Sequence, residues 1–109
     1  MACNNIFKNI PQHFPSEICD DLISGKAFSL KRIVSQGHTS PEKGWYDQDN
    51  DEWVILRSGK ATVLFAENNR TVELVTGDYL HIKAHQQHKV TFTDPQTPSV
   101  WLCLFFSTA

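Results

Sequence analysis

The chain has 109 residues, room for one domain and no second. Ten Lys and Arg against twelve Asp and Glu give a net charge of −2, so no basic face for a nucleic-acid backbone is expected. Apolar residues make up 40% and charged ones 20%, a globular balance that excludes a disordered chain.

The opening MACNNIFKNI lacks the apolar core of a secretory leader. Ser16 to Ser24 admits a helix capped by Ser16 or a strand over Cys19 to Ile23. The strand is favoured, because no helical period appears elsewhere. Phe28 to Val34, Glu52 to Leu56, Ala61 to Phe65, Thr71 to Val75, Tyr79 to Ile82, Lys89 to Thr93 and Val100 to Phe106 then read as strands. Ser58-Gly59, Glu67 to Arg70, Thr76 to Asp78 and Asp94-Pro95 separate them as turns. Asn68 and Asn69 supply the left-handed conformation of a hairpin. Seven or eight short strands at near-regular spacing predict an all-β sandwich or barrel. The expected division is an N-terminal extension over 1–27, as strand or short helix, and a barrel over 28–109.

The longest apolar run, Val100 to Phe106, is far shorter than the roughly 20 residues of a membrane-spanning helix, so no membrane partner is expected. Cys3, Cys19 and Cys103 lie far apart in the chain. They read as reduced thiols, and the expected location is the cytoplasm.

Two stretches carry candidate chemistry. Four of the twelve acidic residues fall at Asp47, Asp49, Asp51 and Glu52, and Ala84-His85-Gln86-Gln87-His88 holds two histidines. Carboxylates and imidazoles are ligands for divalent metals. A calcium loop is excluded, because Glu52 and Ser58 stand where that loop needs Gly and Glu. Asp49 and Asp51 are expected in a solvated loop. Glu52 shares a strand face with Val54 and Leu56, and His88 shares one with Val90 and Phe92. Period-two alternation therefore turns both into the barrel. A buried carboxylate needs a metal, a cation or hydrogen bonds. His81 is expected to face outward, and His13 and His38 to lie on the surface.

These residues carry a resemblance. Glu52 followed by six residues and Gly59 resembles the end of the first cupin motif. Gly77, Ala84-His85 and His88 resemble the second. Ser40-Pro41, Gly44-Trp45-Tyr46-Asp47-Gln48, Glu52-Trp53, Gly77-Asp78-Tyr79 and Trp101-Leu102 are similar to the signature of small single-domain bacterial cupins. The resemblance covers roughly residues 28–106. It implies a double-stranded β-helix, or jelly-roll barrel, with a pocket for a small-molecule ligand at its mouth. It also implies a divalent metal held by an H-x-H pair, a glutamate and a third histidine.

The sequence departs from that pattern. The H-x-H positions are Trp45 and Asp47 with a four-residue gap to Glu52, or Tyr46 and Gln48 with a three-residue gap. The usual proline, glycine and asparagine of the second motif are Lys83, His85 and Phe92. The expected metal ligands are Glu52, His88, Asp47 and His85, for iron, manganese, nickel or zinc. The expected pocket residues are Trp45, Tyr46, Gln48 and Phe92. The expected function is a metal-dependent enzyme of oxygenase or isomerase/lyase type, with a metal-free, non-catalytic binding or structural module as the alternative. Without metal, the acidic mouth should favour neutral or cationic ligands over anions. A homodimer is expected from the open sheet edges and from Trp101, Phe105 and Phe106 in the last apolar run.

Overall fold

The structure, a computed structural model, describes residues 3–108. Eight strands follow one another: β1 (Ile18–Ser24), β2 (Phe28–Ser35), β3 (Asp51–Ser58), β4 (Lys60–Phe65), β5 (Arg70–Val75), β6 (Tyr79–Ile82), β7 (His88–Thr93) and β8 (Ser99–Phe106). They form two antiparallel sheets, β1-β2-β8-β3-β6 and β5-β4-β7, closed over one core as a jelly roll. The Ser16 to Ser24 segment therefore resolves as a strand. It joins the larger sheet through pairing with β2.

The core is built by alternation. Val54 and Leu56 of β3, Ala61, Val63 and Phe65 of β4, and Trp101 and Cys103 of β8 point inward and are buried. Burying each large apolar side chain contributes about 1.5–3 kcal/mol. The chain passes from one sheet to the other at Gly59, whose φ is +90°. A Cβ there would lie 2.6 Å from Ser99 Cα, so only glycine lets β3 turn into β4 against β8. Asn68 and Asn69, at φ 60° and 47°, make the β4–β5 turn as the sequence predicts.

The outer face of the larger sheet carries the N-terminal segment. Arg32 faces outward yet is only 7% exposed. Its guanidinium donates to the Ile6 carbonyl (2.9 Å), the Lys8 carbonyl (2.6 Å) and Asp20 Oδ2 (2.8 Å). His38 is not a free surface residue. Its Nδ1 accepts from the Gln36 N–H, its Nε2 donates to the Phe14 carbonyl, and its ring stacks on Phe14.

Asp51 likewise leaves the expected solvated loop. It opens β3 facing away from the barrel interior, is buried, and accepts from the Ala84 N–H (2.9 Å) and from outward-facing His81 (2.8 Å). No helix among the described residues is long and apolar enough to cross a membrane.

Candidate functional site

A cavity of about 200 Å3 lies between the sheets. Its walls are mainly apolar: Ile33, Val54, Val63, Ile82 and Val90, with Trp101 and Phe105 from β8. The polar lining is Glu17, Tyr46, Gln48, Glu52 and His88, with the Cys103 thiol beside them.

Glu52 and His88 come from opposite sheets and meet across the cavity, His88 Nε2 lying 3.6 Å from Glu52 Oε1. Both are buried. His88 Nδ1 donates to the Gln86 carbonyl at 2.9 Å, which leaves Nε2 as the nitrogen that faces Glu52. Burial is the largest influence on His88 and disfavours the imidazolium. The Glu52 carboxylate and the Gln86 carbonyl together outweigh it, and the pKa is raised above the usual value. Gln48 Nε2 donates to Glu52 Oε1 at 3.2 Å. Burial, followed by the charges of Glu52 and Glu17, pushes the Cys103 thiol well up, so it is a neutral wall of the cavity.

Pairing of the loop before β3 decides which of its residues reach the cavity. The Tyr46 N–H donates to the His88 carbonyl (2.8 Å), and the His85 N–H to the Gln48 carbonyl (2.8 Å). This short bridge alongside β7 brings Tyr46 and Gln48 to the cavity, while Trp45 and Asp47 are exposed and absent from the lining. The three-residue gap is thus the structurally matching one. Trp45 instead lies under the Lys89 ammonium, 4.4 Å from its ring centroid.

Phe92 also departs from expectation. Val63 pairs with Val90, but Thr62 pairs with Phe92, so Thr91 is an extra residue in β7. That bulge breaks the alternation, leaves Phe92 46% exposed and turns Thr93 inward instead. Trp101 and Phe105, expected at a dimer interface, line the cavity. Phe106 alone of the three faces outward, stacked with His81.

The four expected metal ligands do not assemble. Asp47 and His85 bind each other at 2.7 Å on the surface, with Gln87 on the second Asp47 oxygen (3.2 Å) and Asp49 3.5 Å from His85 Nε2. The hydrogen bonds from His85 and Gln87 hold the Asp47 carboxyl below its usual range. The Asp47 bond raises His85 above its own. The positions matching two metal histidines carry a phenol and a primary amide. One imidazole and one carboxylate remain, fewer than the three strong protein donors a resident divalent ion takes. Among the described residues no three His, Cys, Asp or Glu side chains converge as a metal site. The residues present do not fit the metal that the resemblance implies.

Sequence reasoning missed Glu17, Ile33, Trp101, Cys103 and Phe105 as lining residues. Three of them lie on β8, which is apolar on both faces, so hydropathy gave them no side. Glu17, one residue ahead of β1, had no signal beyond sharing parity with Cys19.

Residues 32–105 match the family model of the cupin domain. The chain is 35% identical to a protein of Ralstonia eutropha named for a proposed mannose-6-phosphate isomerase activity. The match covers 99% of this chain and all of that one, with a TM-score of 0.93. Two more distant structures share the fold. A polyketide cyclase of Streptomyces resistomycificus is 17% identical, over 81% of this chain and 63% of that one, with a TM-score of 0.69. A DMSP lyase of Ruegeria pomeroyi is 18% identical, over 84% of this chain and 47% of that one, with a TM-score of 0.70. Comparison with curated proteins finds no match.

Proposed function

The chain belongs to the cupin family, and from that premise we propose that it binds a small organic molecule in the barrel and uses Glu52 and His88 as a proton-transfer pair. The observation that carries this is the pair itself: a carboxylate and an imidazole 3.6 Å apart, both buried, in an otherwise mainly apolar cavity. Such a cavity holds about seven waters' worth of liquid volume, enough for a small ligand. His88 is fixed by the Gln86 carbonyl, so its Nε2 can take a proton from a bound molecule and return it, with Glu52 stabilising the imidazolium. Proton removal and return is the chemistry of isomerases and lyases. The reading needs no resident metal, in keeping with a donor set that does not fit one.

A sugar-phosphate substrate, suggested by the name of the Ralstonia protein, finds no support in this lining. It contains no Lys or Arg to hold a phosphate.

The test is a ligand-observed NMR screen of small organic molecules in deuterated solvent. Bound molecules with an acidic C–H should exchange it for deuterium. His88→Gln should keep binding and lose exchange by about a hundredfold or more. Undiminished exchange in that variant would refute the assignment.

A further inference from the structure

The cavity has a charge imbalance. Its carboxylates and imidazole are Glu17, Glu52 and His88, with the neutral Cys103 thiol beside them. With His88 protonated, one negative charge is left over. With His88 neutral, two are. No Lys or Arg contributes to the lining in either state.

The neighbouring cations are engaged elsewhere. Lys31 pairs with Asp21 at 3.3 Å, Lys89 lies over Trp45 and donates to the Glu42 carbonyl, and Arg32 serves the outer face. Glu17 Oε2 accepts from the Ser35 hydroxyl at 2.7 Å, a bond that holds the carboxylate without neutralising it. Glu52 is buried and Glu17 is exposed at the edge of the cavity, yet the charges of both reach the buried Cys103 sulfur. The remaining walls include Tyr46, Trp101 and Phe105, whose ring faces attract cations.

We propose that the cavity takes a small organic cation, an alkylated or quaternary ammonium compound, with Glu17 and Glu52 as its counter-charges. This rests on the reading of the cavity as a ligand site and adds the ligand's charge class. A compact, strongly hydrated ion would lose its water for too few donors here. An alkylated ammonium carries little ordered water, and its methyl groups fit the Ile33, Val54, Val63 and Val90 walls. An anion would meet two carboxylates and no fixed cation.

Three probes of closely similar shape separate charge from fit: choline, the neutral 3,3-dimethylbutan-1-ol, and the anionic 3,3-dimethylbutanoate. Binding is read by calorimetry and by the chemical shift of the Trp101 indole N–H. Choline should bind about tenfold or more tighter than the alcohol, a difference of about 1.4 kcal/mol, and the carboxylate should bind weakest. Glu17→Gln should remove most of choline's advantage and leave the alcohol's affinity unchanged. Ser35→Ala, which keeps the charge, should retain that advantage. Equal affinity for choline and the alcohol, or preference for the carboxylate, overturns the charge assignment and leaves the ligand site standing. Failure of all three probes to shift Trp101 overturns both. An unaltered choline advantage in Glu17→Gln removes Glu17 from its role and overturns the inference as stated.

Discussion

Replacing Arg32 by Met should loosen the N-terminal segment without opening the barrel. The aliphatic stem is kept, so little packing is lost. What goes is one guanidinium serving three acceptors: the Ile6 and Lys8 carbonyls and Asp20. Hydrogen bonds to a charged group contribute about 1.5–3 kcal/mol when buried. The freed carbonyls can rehydrate once the segment lifts, so about 1 kcal/mol each is the better figure. The Asp20 side chain is 43% exposed, and a half-exposed ion pair adds no more than about 1 kcal/mol. Arg32→Met should therefore cost about 2–3 kcal/mol, or about 10 °C in Tm for a domain of this size. Asp20→Asn should cost less than about 1 kcal/mol. Urea unfolding followed by Trp fluorescence gives both values, and limited trypsin digestion at Lys8 should quicken in Arg32→Met alone. Equal costs for the two variants would refute the reasoning, because the ion pair and not the carbonyl clamp would then hold the segment.

The Asp47–His85 contact should respond to pH with a definite sign. His85 has a raised folded pKa, so its contribution is complete below the usual 6.5 and is lost as pH rises through the folded value. Asp47 has a lowered one, so its contribution is present above the usual 3.8 and fades as pH falls through its own folded value. NMR titration should place His85 above 6.5, and a value at or below that would contradict the geometry. Untagged protein should contain well under one divalent ion per chain by elemental analysis. Stoichiometric metal that disappears in the Glu52→Ala, His88→Ala double variant would overturn the judgement on the donor set. A homodimer is still expected, now through the outer face of the larger sheet, where Tyr79 is 64% exposed, Trp53 lies beside it and Leu102, Leu104 and Phe106 continue the row. Light scattering should show it, Tyr79→Asp should weaken it, and a wild-type monomer at micromolar concentration would end the argument.

The strands were legible because each ends at a residue with its own backbone preference, such as Gly59, Asn68-Asn69 or Gly77. Glu52 was readable as inward because β3 alternates cleanly across Glu52, Val54 and Leu56. The same rule failed on β7, where Thr91 adds a residue that no local propensity announces. It failed on β8 for another reason: Val100 to Phe106 is apolar on both faces, so hydropathy alone could not assign Trp101 a side. The choice between Asp47 and Gln48 lay in a loop without a period. A backbone bridge to a strand some forty residues away settles it. Glu17 reaches the cavity only because β1 folds back onto β2, a tertiary fact.

The extra residue in β7 also bears on how such a chain tolerates changes in length. Deleting Thr91 would leave a strand that can still pair in register with β4, so the ladder itself would survive. The cost would be confined to the extra local twist that a bulge supplies. Val90 would stay opposite Val63, Phe92 opposite Thr62 and Thr93 opposite Ala61, so every side chain of β7 that pairs with β4 would keep its partner and its face. Thr93 would stay inward and keep its 2.6 Å bond to the His38 carbonyl, the tie between β7 and the loop leaving β2. Substitutions at position 91, which is exposed, should be nearly silent. Removal of the position should be tolerated as well, because it regularises the ladder without turning a side chain over. At this site neither the number of residues nor their identity is tightly constrained; the pairs on either side of the bulge are what the fold fixes.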